Sequence, residues 1–236
     1  MFAVQEARAL PLTVLLTVFW TIRSITNLVN PEALDCGLGM ARPKAFKEEE
    51  ALAAAMEVFW RNGYERASLD VLLQAMGISK QSLYDTFGDK RALYLKALAH
   101  YREQTLTSMR ATFSSARKTR DAFSRLLLGL SAESAEQHAR GCLLLSANLE
   151  RETGDTVIAQ FLRENQAAVE EIFAEAIAKG QTTGEFSKAL NPEALARFFA
   201  VTIQGMRAMA RLKSDRRALR QVAKVALAAL DSQHHT

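Results

Sequence analysis

The chain is poor in the residues that mark disulfide-stabilised and irregular proteins. Its 236 residues include only two cysteines, Cys36 and Cys142, and only four prolines. Two thiols so far apart provide no disulfide framework, which excludes a small disulfide-rich secreted fold and indicates a reducing compartment, the cytoplasm. The scarcity of proline, together with abundant alanine and leucine, favours helices.

A large excess of charge of one sign is also absent. Lys and Arg total 30 against 26 Asp and Glu, which gives a formal net charge of +4. This balance permits a nucleic-acid partner but does not indicate one. In residues 40–100 the eight acids nearly balance the nine bases, so any positive face there must come from the placement of the cations.

The chain lacks an apolar run long enough to span a membrane. One apolar segment, 9–22, lies between Arg8 and Arg23 and is too short for a transmembrane helix. It has the length of a signal-peptide core, but no A-x-A cleavage site follows it. We expect residues 1–39 to be a non-native or mis-started extension, because a basic arm and a well-patterned helix follow Met40 directly.

Sequence signatures of catalysis and of cofactor binding are absent as well. No glycine-rich phosphate loop and no catalytic-triad pattern stands out. His138 and Cys142 are four residues apart and could share a helix face, but no third metal ligand is evident. We therefore expect no catalytic residue, no metal site and no cofactor.

What the sequence does contain, from residue 48 onward, is the apolar spacing of helices. Apolar residues recur every three or four positions, and no segment alternates as a strand does. The expected fold class is all-α. The predicted helices are 48–62, 68–76, 79–87, a long helix from 90, 121–136, 141–151, 155–179, 192–213 and 215–229.

Two short helices joined by a tight turn are predicted within 68–87. Ser68 and Ser79 are suitable N-caps, and Gly77 is a suitable end for the first helix. This is the layout of a helix-turn-helix, in which the second helix enters the major groove of DNA. The alternative is a two-helix corner that serves only for packing.

The second of these helices has a polar face suited to DNA. At 100° per residue, Leu83 and Phe87 define its buried side, and Gln81 and Asp85 point away from that side. Gln can pair with adenine, Lys with guanine, and Ser or Tyr can hold phosphate. The DNA-contacting residues expected on this helix are Ser79, Lys80, Gln81, Ser82, Tyr84, Asp85 and Thr86.

The stretch 77–93 resembles the signature of the tetracycline-repressor (TetR) family. In the family's order it has Gly, an aliphatic residue, Ser, a basic residue, then Ser-Leu-Tyr, Phe and a following Lys. The preceding helix, with Phe59, Gly63 and Tyr64, matches too, so the resemblance covers roughly residues 46–101.

The resemblance implies roles for residues outside the second helix. Tyr84 and Lys90 would each contact a phosphate, and Ser68 would present its hydroxyl and helix N-terminal amides to the DNA backbone. Arg42 and Lys44 would belong to an arm near the minor groove. The implied domains are a helix-turn-helix domain at 40–100, a ligand-binding and dimerisation domain at 101–230, and a tail at 231–236.

The family further implies a small-molecule pocket and a dimer interface in the second domain. Ordinary core packing is the alternative for each pocket residue. The pocket residues expected are Met109, Phe113, Phe123, Phe161 and Phe173. The helix 192–213 would join an intersubunit four-helix bundle through Leu195, Phe198, Phe199, Thr202, Gly205, Met206 and Met209.

Together these features predict a cytoplasmic transcription regulator, a ligand-responsive repressor bound to a palindromic operator as a homodimer. A dimer matters because two recognition helices must lie one DNA turn apart, ~34–36 Å, to read a palindrome. The expected partners are double-stranded DNA, a second copy and an unidentified small-molecule effector, with no membrane. The alternative is an all-α small-molecule-binding protein or enzyme that does not bind DNA.

Overall fold

The computed structural model describes residues 47–151 and 154–231, and this part of the chain contains ten α-helices and no strand. The expectations for residues 1–39, Arg42 and Lys44 lie outside the described residues. The all-α prediction is confirmed. The helices are α1 (Glu48–Arg66), α2 (Leu69–Met76), α3 (Lys80–Phe87), α4 (Lys90–Ser115), α5 (Thr119–Ala132), α6 (Ala135–Arg140), α7 (Leu143–Glu150), α8 (Thr156–Thr182), α9 (Pro192–Leu212) and α10 (Arg216–Ala228).

Side-chain caps fix the starts of most of these helices. The hydroxyl of Ser68 accepts a hydrogen bond from the amide of Val71, and that of Ser79 accepts one from the amide of Ser82. Asn191 caps α9 in the same way, ahead of a proline in the first turn. Each cap satisfies an amide that the helix leaves unpaired, which stabilises the helix by about 1 kcal/mol. The predicted starts of α2, α3 and α9 are confirmed.

Helix α1 is kinked at the glycine that we predicted to end it. Gly63 has φ 76° and ψ 172°, a conformation essentially restricted to glycine, and a further turn at 64–66 follows it. The carboxylate of Glu150, at the end of α7, lies over Gly63 and accepts a hydrogen bond from the amide of Tyr64 at 3.2 Å. Glu150 therefore caps the turn that follows the kink.

The prediction of a single helix over 121–136 is wrong, because two helices, α5 and α6, meet within this range. Helix α5 ends at Ala132, and Ser134 and Gln137 form a capping box at the start of α6. Each side chain accepts a hydrogen bond from the other's backbone amide, which favours a new helix start at Ser134. A Ser followed three residues later by Gln is a recognisable signal for this break.

The buried side chains form two clusters. The first joins α1, α2, α3 and the start of α4 with α7, and includes Phe59, Leu72, Leu83 and Leu143. The second, which includes Phe199, joins the later part of α4 with α5, α8, α9 and α10. Helix α4 thus contributes to both clusters, and the predicted domain boundary at 100 falls inside it. No described helix is long and apolar enough to cross a membrane.

Candidate nucleic-acid interface

Helices α2 and α3 are joined by a three-residue turn and locked by apolar side chains. Gly77 ends α2 with φ 65°, in the left-handed region that glycine adopts without steric strain. Leu72 and Leu83 are fully buried between the helices, and Phe87 is nearly so. Since these side chains fix the rotation of α3 about its axis, they also decide which of its residues face outward.

The outward face of α3 is polar. Lys80, Gln81, Tyr84 and Asp85 are exposed, and the exposed fraction of Tyr84 is 46%. The amide nitrogen of Gln81 donates to a carboxylate oxygen of Asp85 at 2.8 Å. With the half-buried Ser82, the face of α3 that is turned away from Leu83 and Phe87 carries five side chains that can form hydrogen bonds.

The remaining two residues predicted on this helix have partly structural roles. The hydroxyl of Ser79 caps α3 and lies 2.9 Å from that of Ser82. Thr86 is half-buried in the last turn, where its carbonyl oxygen accepts a hydrogen bond from Lys96 at 3.0 Å. Ser79 thus lies just before the first residue of α3, and Thr86 lies one residue before its end.

Ser68 and Lys90 lie at the starts of the helices on either side of α3. Ser68 is exposed, and its hydroxyl is already engaged as the cap of α2. The ammonium of Lys90 lies 4.5 Å from the centre of the Tyr64 ring and 3.4 Å from the carbonyl oxygen of Glu65. This cation is therefore held against α1, and its contact with a phosphate stays a prediction.

Lys96 is a supporting residue that sequence reasoning missed. Besides its bond to the carbonyl of Thr86, its ammonium lies 5.4 Å from the centre of the Phe87 ring. A cation at the C-terminal end of α3 satisfies a carbonyl and interacts favourably with the helix dipole. Only the packing of α4 against α3 brings this lysine there, and spacing along the sequence gives no signal for it.

A second missed group connects α1 with α6. The indole nitrogen of Trp60 donates to the carbonyl oxygen of Gly141 at 3.1 Å. The guanidinium of Arg140 lies 3.6 Å from the centre of the indole ring and forms an ion pair with Glu57. The helix that precedes the helix-turn-helix is therefore in direct polar contact with the later part of the chain.

A third contact joins α4 to the start of α8. Arg91 donates two hydrogen bonds to the carboxylate of Asp155, at 2.8 and 2.9 Å. These bonds, together with the amide of Ile158, hold the pKa of Asp155 below its ordinary value. The same pairing raises the pKa of Arg91.

Comparison with known proteins decides the family. The model of bacterial regulatory proteins of the tetR family matches residues 51–97, and that of the tetracyclin repressor-like C-terminal domain matches residues 122–226. The chain is 30% identical over 197 residues to YezE of Bacillus subtilis (strain 168), named as an HTH-type transcriptional regulator. That alignment covers 81% of this chain and all of YezE. The chain belongs to the TetR family.

Two further regulators extend the likeness. ComR of Escherichia coli (strain K12), named as an HTH-type transcriptional repressor, is 28% identical over 190 residues, which cover 79% of this chain and 90% of ComR. A solved structure of the TetR-family regulator CifR, a cysteine-substituted variant with a 26-base-pair operator duplex, has a TM-score of 0.71 and 34% identity. It matches 80% of this chain and all of that one.

The residues that we predicted for a TetR-type ligand pocket are brought together only in part. Phe123 and Phe173 are fully buried in the second cluster with their ring centres 5.4 Å apart. Phe113 packs edge-on against both, and Met109 lies at the margin of the same cluster. Phe161 packs against the first cluster instead, and it therefore lies apart from the other four.

The predicted dimer residues need a correction, because two of them lie inside the protomer. Phe199 and Met206 are buried, and the Phe199 ring centre lies 4.4 Å from that of Phe123. A side chain enclosed by its own protomer offers no surface to a partner. Leu195 and Thr202 are half-buried, and Phe198, Gly205 and Met209 are exposed on the other side of α9.

Val201 and Leu212 complete the exposed side of α9, and we did not predict them. Their exposed fractions are 65% and 80%. With Phe198, Gly205 and Met209 they recur every three or four residues and so form one apolar stripe. The sequence signal was ambiguous because α9 is apolar on two sides, and only one of them faces the core.

His138 is buried, and its ring connects α5 with the segment between α9 and α10. Its Nε2 donates to the carbonyl oxygen of Leu130 at 2.7 Å, and its Nδ1 lies 2.6 Å from the hydroxyl of Ser214. Both ring nitrogens are therefore engaged by protein groups. Within residues 47–151 and 154–231, no group of three or more His, Cys, Asp and Glu side chains could hold a metal ion.

Proposed function

We propose that this TetR-family chain is a ligand-responsive repressor that binds a palindromic operator as a homodimer. The observation that carries the proposal is the polar outward face of α3, opposite the buried Leu83 and Phe87. A helix fixed in this way by a helix-turn-helix enters the major groove with its side chains against base edges. The operator complex of CifR and the repressor name of ComR support the same role.

Contacts to the DNA backbone complete the interface. Tyr84 and Lys90 hold phosphates on either side of the base-reading face, and Ser68 presents the start of α2 to the backbone. Arg42 and Lys44 lie outside the described residues, and their role in an arm near the minor groove stays a prediction. These contacts fix the register of the protein on DNA, whereas residues of α3 read the sequence.

The homodimer forms through the apolar stripe of α9, which comprises Phe198, Val201, Gly205, Met209 and Leu212. Large exposed apolar side chains in one line mark an interaction surface, and Gly205 permits a close approach of two helices. Pairing of two copies places two recognition helices about one DNA turn apart, ~34–36 Å, as a palindrome requires.

An unidentified small molecule controls the repressor through the second domain. It binds at the margin of the aromatic cluster, where Met109 and Phe113 are only half-buried. Binding favours a dimer whose recognition helices no longer fit the operator, so effector and DNA weaken each other's binding. The protein acts in the cytoplasm and carries out no catalysis.

A DNA titration of the full chain tests the proposal. The probes are a duplex from upstream of its own gene and a scrambled duplex, each at several salt concentrations. We expect sequence-selective binding whose affinity falls steeply as salt rises, because phosphate contacts release counterions. Absence of binding at every salt concentration would favour the alternative, an all-α small-molecule-binding protein or enzyme.

A further inference from the structure

We propose that Gln81 and Asp85 act as one base-reading pair that selects a base amino group and excludes guanine at one position of each half-site. The inference rests on the proposed function, since it requires that α3 faces the major groove. It assigns to Asp85, an acidic residue on a surface that faces DNA, a definite role in specificity.

The pair is already formed in the structure. Gln81 donates from its amide nitrogen to one oxygen of Asp85 at 2.8 Å, across one helical turn, and both side chains are exposed. This bond uses one N–H of the amide and one oxygen of the carboxylate. The amide oxygen and the second carboxylate oxygen remain as acceptors, with a single N–H left as a donor.

The hydrogen-bonding pattern of the bases then decides what this pair selects. In the major groove, cytosine presents its N4 amino group and adenine its N6 amino group as donors. Guanine presents two acceptors, N7 and O6, and thymine presents an acceptor and a methyl group. A pair that offers mostly acceptors and a negative charge therefore favours an amino group and opposes the two acceptors of guanine.

Gln81 alone would read DNA differently. A free glutamine pairs with adenine by donating to N7 and accepting from N6. When Asp85 accepts one N–H of the amide, that donor is turned along the helix and away from the base. Asp85 thereby changes Gln81 from a reader of adenine into part of a site that accepts cytosine or adenine.

The position of Asp85 also favours a role in specificity over one in affinity. It is the only acidic residue of α3, and no ion pair to it occurs within the described residues. An unneutralised carboxylate near phosphates weakens binding to every sequence. Such a group is useful where it rejects wrong partners by repulsion, which is a recognised route to specificity.

The alternative explanation is that the bond between Gln81 and Asp85 only stabilises α3 and does not affect base preference. Side chains four residues apart on a helix commonly form such bonds, and Gln with Asp stabilises a helix slightly. Under this alternative, removal of the charge would change folding stability and leave base preference unaltered. The two explanations therefore differ in a quantity that a selection experiment measures directly.

The experiment selects binding sites from a duplex library with one half-site randomised, using the full chain. The variants are the wild type, Asp85→Asn, Gln81→Ala and the double variant. We expect the wild type to exclude guanine roughly fivefold or more at one position. Asp85→Asn should abolish that exclusion, because an asparagine can turn its NH₂ group toward the guanine acceptors.

Asp70→Asn is the matched control. Asp70 is exposed in the first turn of α2, so this change removes the same charge close to the interface but outside α3. We expect it to raise affinity for all sequences alike with no change in base preference. The double variant should equal Asp85→Asn in its tolerance of guanine, because Gln81 and Asp85 act together.

Two results would overturn the inference. One is an Asp85→Asn variant with the base profile of the wild type, and the other is an Asp70→Asn variant that alters the profile to the same extent. Either leaves the proposed repressor function intact. A wild type that enriches no sequence would instead refute the proposed function itself.

Discussion

At the residue scale, Gly63 holds the kink of α1 in a backbone conformation that other residues rarely adopt. A Cβ atom there would also lie 2.6 Å from a carboxylate oxygen of Glu150. The oxygen belongs to a flexible side chain and can move, whereas the backbone conformation cannot be relieved. We therefore expect Gly63→Ala to lower the free energy of unfolding by about 1–3 kcal/mol, measured by urea denaturation.

Gly129→Ala provides the control for this prediction. Gly129 lies within α5 with a helical backbone, and a Cβ atom there would meet no other heavy atom within 4 Å. The same substitution should raise the free energy of unfolding by about 0.4–1 kcal/mol, because it reduces the freedom of the unfolded chain. Equal free energies of unfolding for the two variants would show that alanine adopts the backbone conformation of the kink without strain.

Lys90 carries a second prediction at this scale. If its ammonium leaves the Tyr64 ring for a phosphate, Lys90→Gln should weaken binding to operator and scrambled DNA by the same factor. The slope of log affinity against log salt should fall by about one for each phosphate that the lysine no longer neutralises. Lys188→Gln, which changes an exposed lysine of the loop before α9, should leave the slope unchanged. A change in base preference on Lys90→Gln would place this residue against bases.

At the scale of elements, the exposed stripe of α9 predicts how two copies pair. Val201→Glu should place an unpaired charge in the interface and shift the protein toward monomer, since burying a lone carboxylate is strongly unfavourable. Operator affinity should fall with it, because a monomer contacts one half-site. Sedimentation velocity at several protein concentrations measures the shift.

The matched control is Val157→Glu, which adds the same side chain to an exposed position in the first turn of α8. A carboxylate near a helix N-terminus interacts favourably with the dipole, so this variant should remain folded and dimeric. If Val201→Glu sediments as the wild-type dimer does, the two copies pair through another surface.

Helix types and most helix starts could be predicted from sequence because their causes are local. Ser68 and Ser79 cap their helices through amides three residues away, and Gly77 ends α2 by its own conformation. The buried side of α3 followed from helical periodicity alone. The break before α6 has an equally local cause in the capping box at Ser134, although we did not predict it.

Which side of α9 faces the core could not be predicted, because both sides are apolar. Phe199 and Phe198 are adjacent in sequence, yet one is fully buried and the other exposed. The choice depends on the packing of α9 against α8 and α5, which a single sequence does not reveal. Lys96 was missed for the same reason, since only tertiary packing brings it to the end of α3.

At the scale of the whole molecule, the two clusters do not follow the predicted domain boundary. Helix α7 packs its leucines against α1 and α4, so a segment of the second predicted domain completes the core of the first. Trp60, Glu150 and Arg91 add polar contacts between the same parts. A displacement of α7 or of the start of α8 would therefore act on α1 and α4, the helices that flank α2 and α3 in the first cluster.

The pairing of Arg91 with Asp155 makes part of this connection dependent on pH. The pKa of Asp155 is lowered in the folded protein. The pairing therefore makes its full contribution to folding stability above the ordinary carboxyl pKa, near pH 4. That contribution is lost as the pH falls through the lower pKa of the folded state. Arg91→Gln should therefore be less stable than the wild type at pH 7, and the difference should shrink toward zero on acidification. Urea denaturation from about pH 7 down to about pH 2, which passes below the ordinary carboxyl pKa, measures it. Arg117→Gln, at an exposed arginine between α4 and α5, should show no such convergence. A wild type and Arg91→Gln that differ equally at every pH would show that Asp155 does not contribute through its charge.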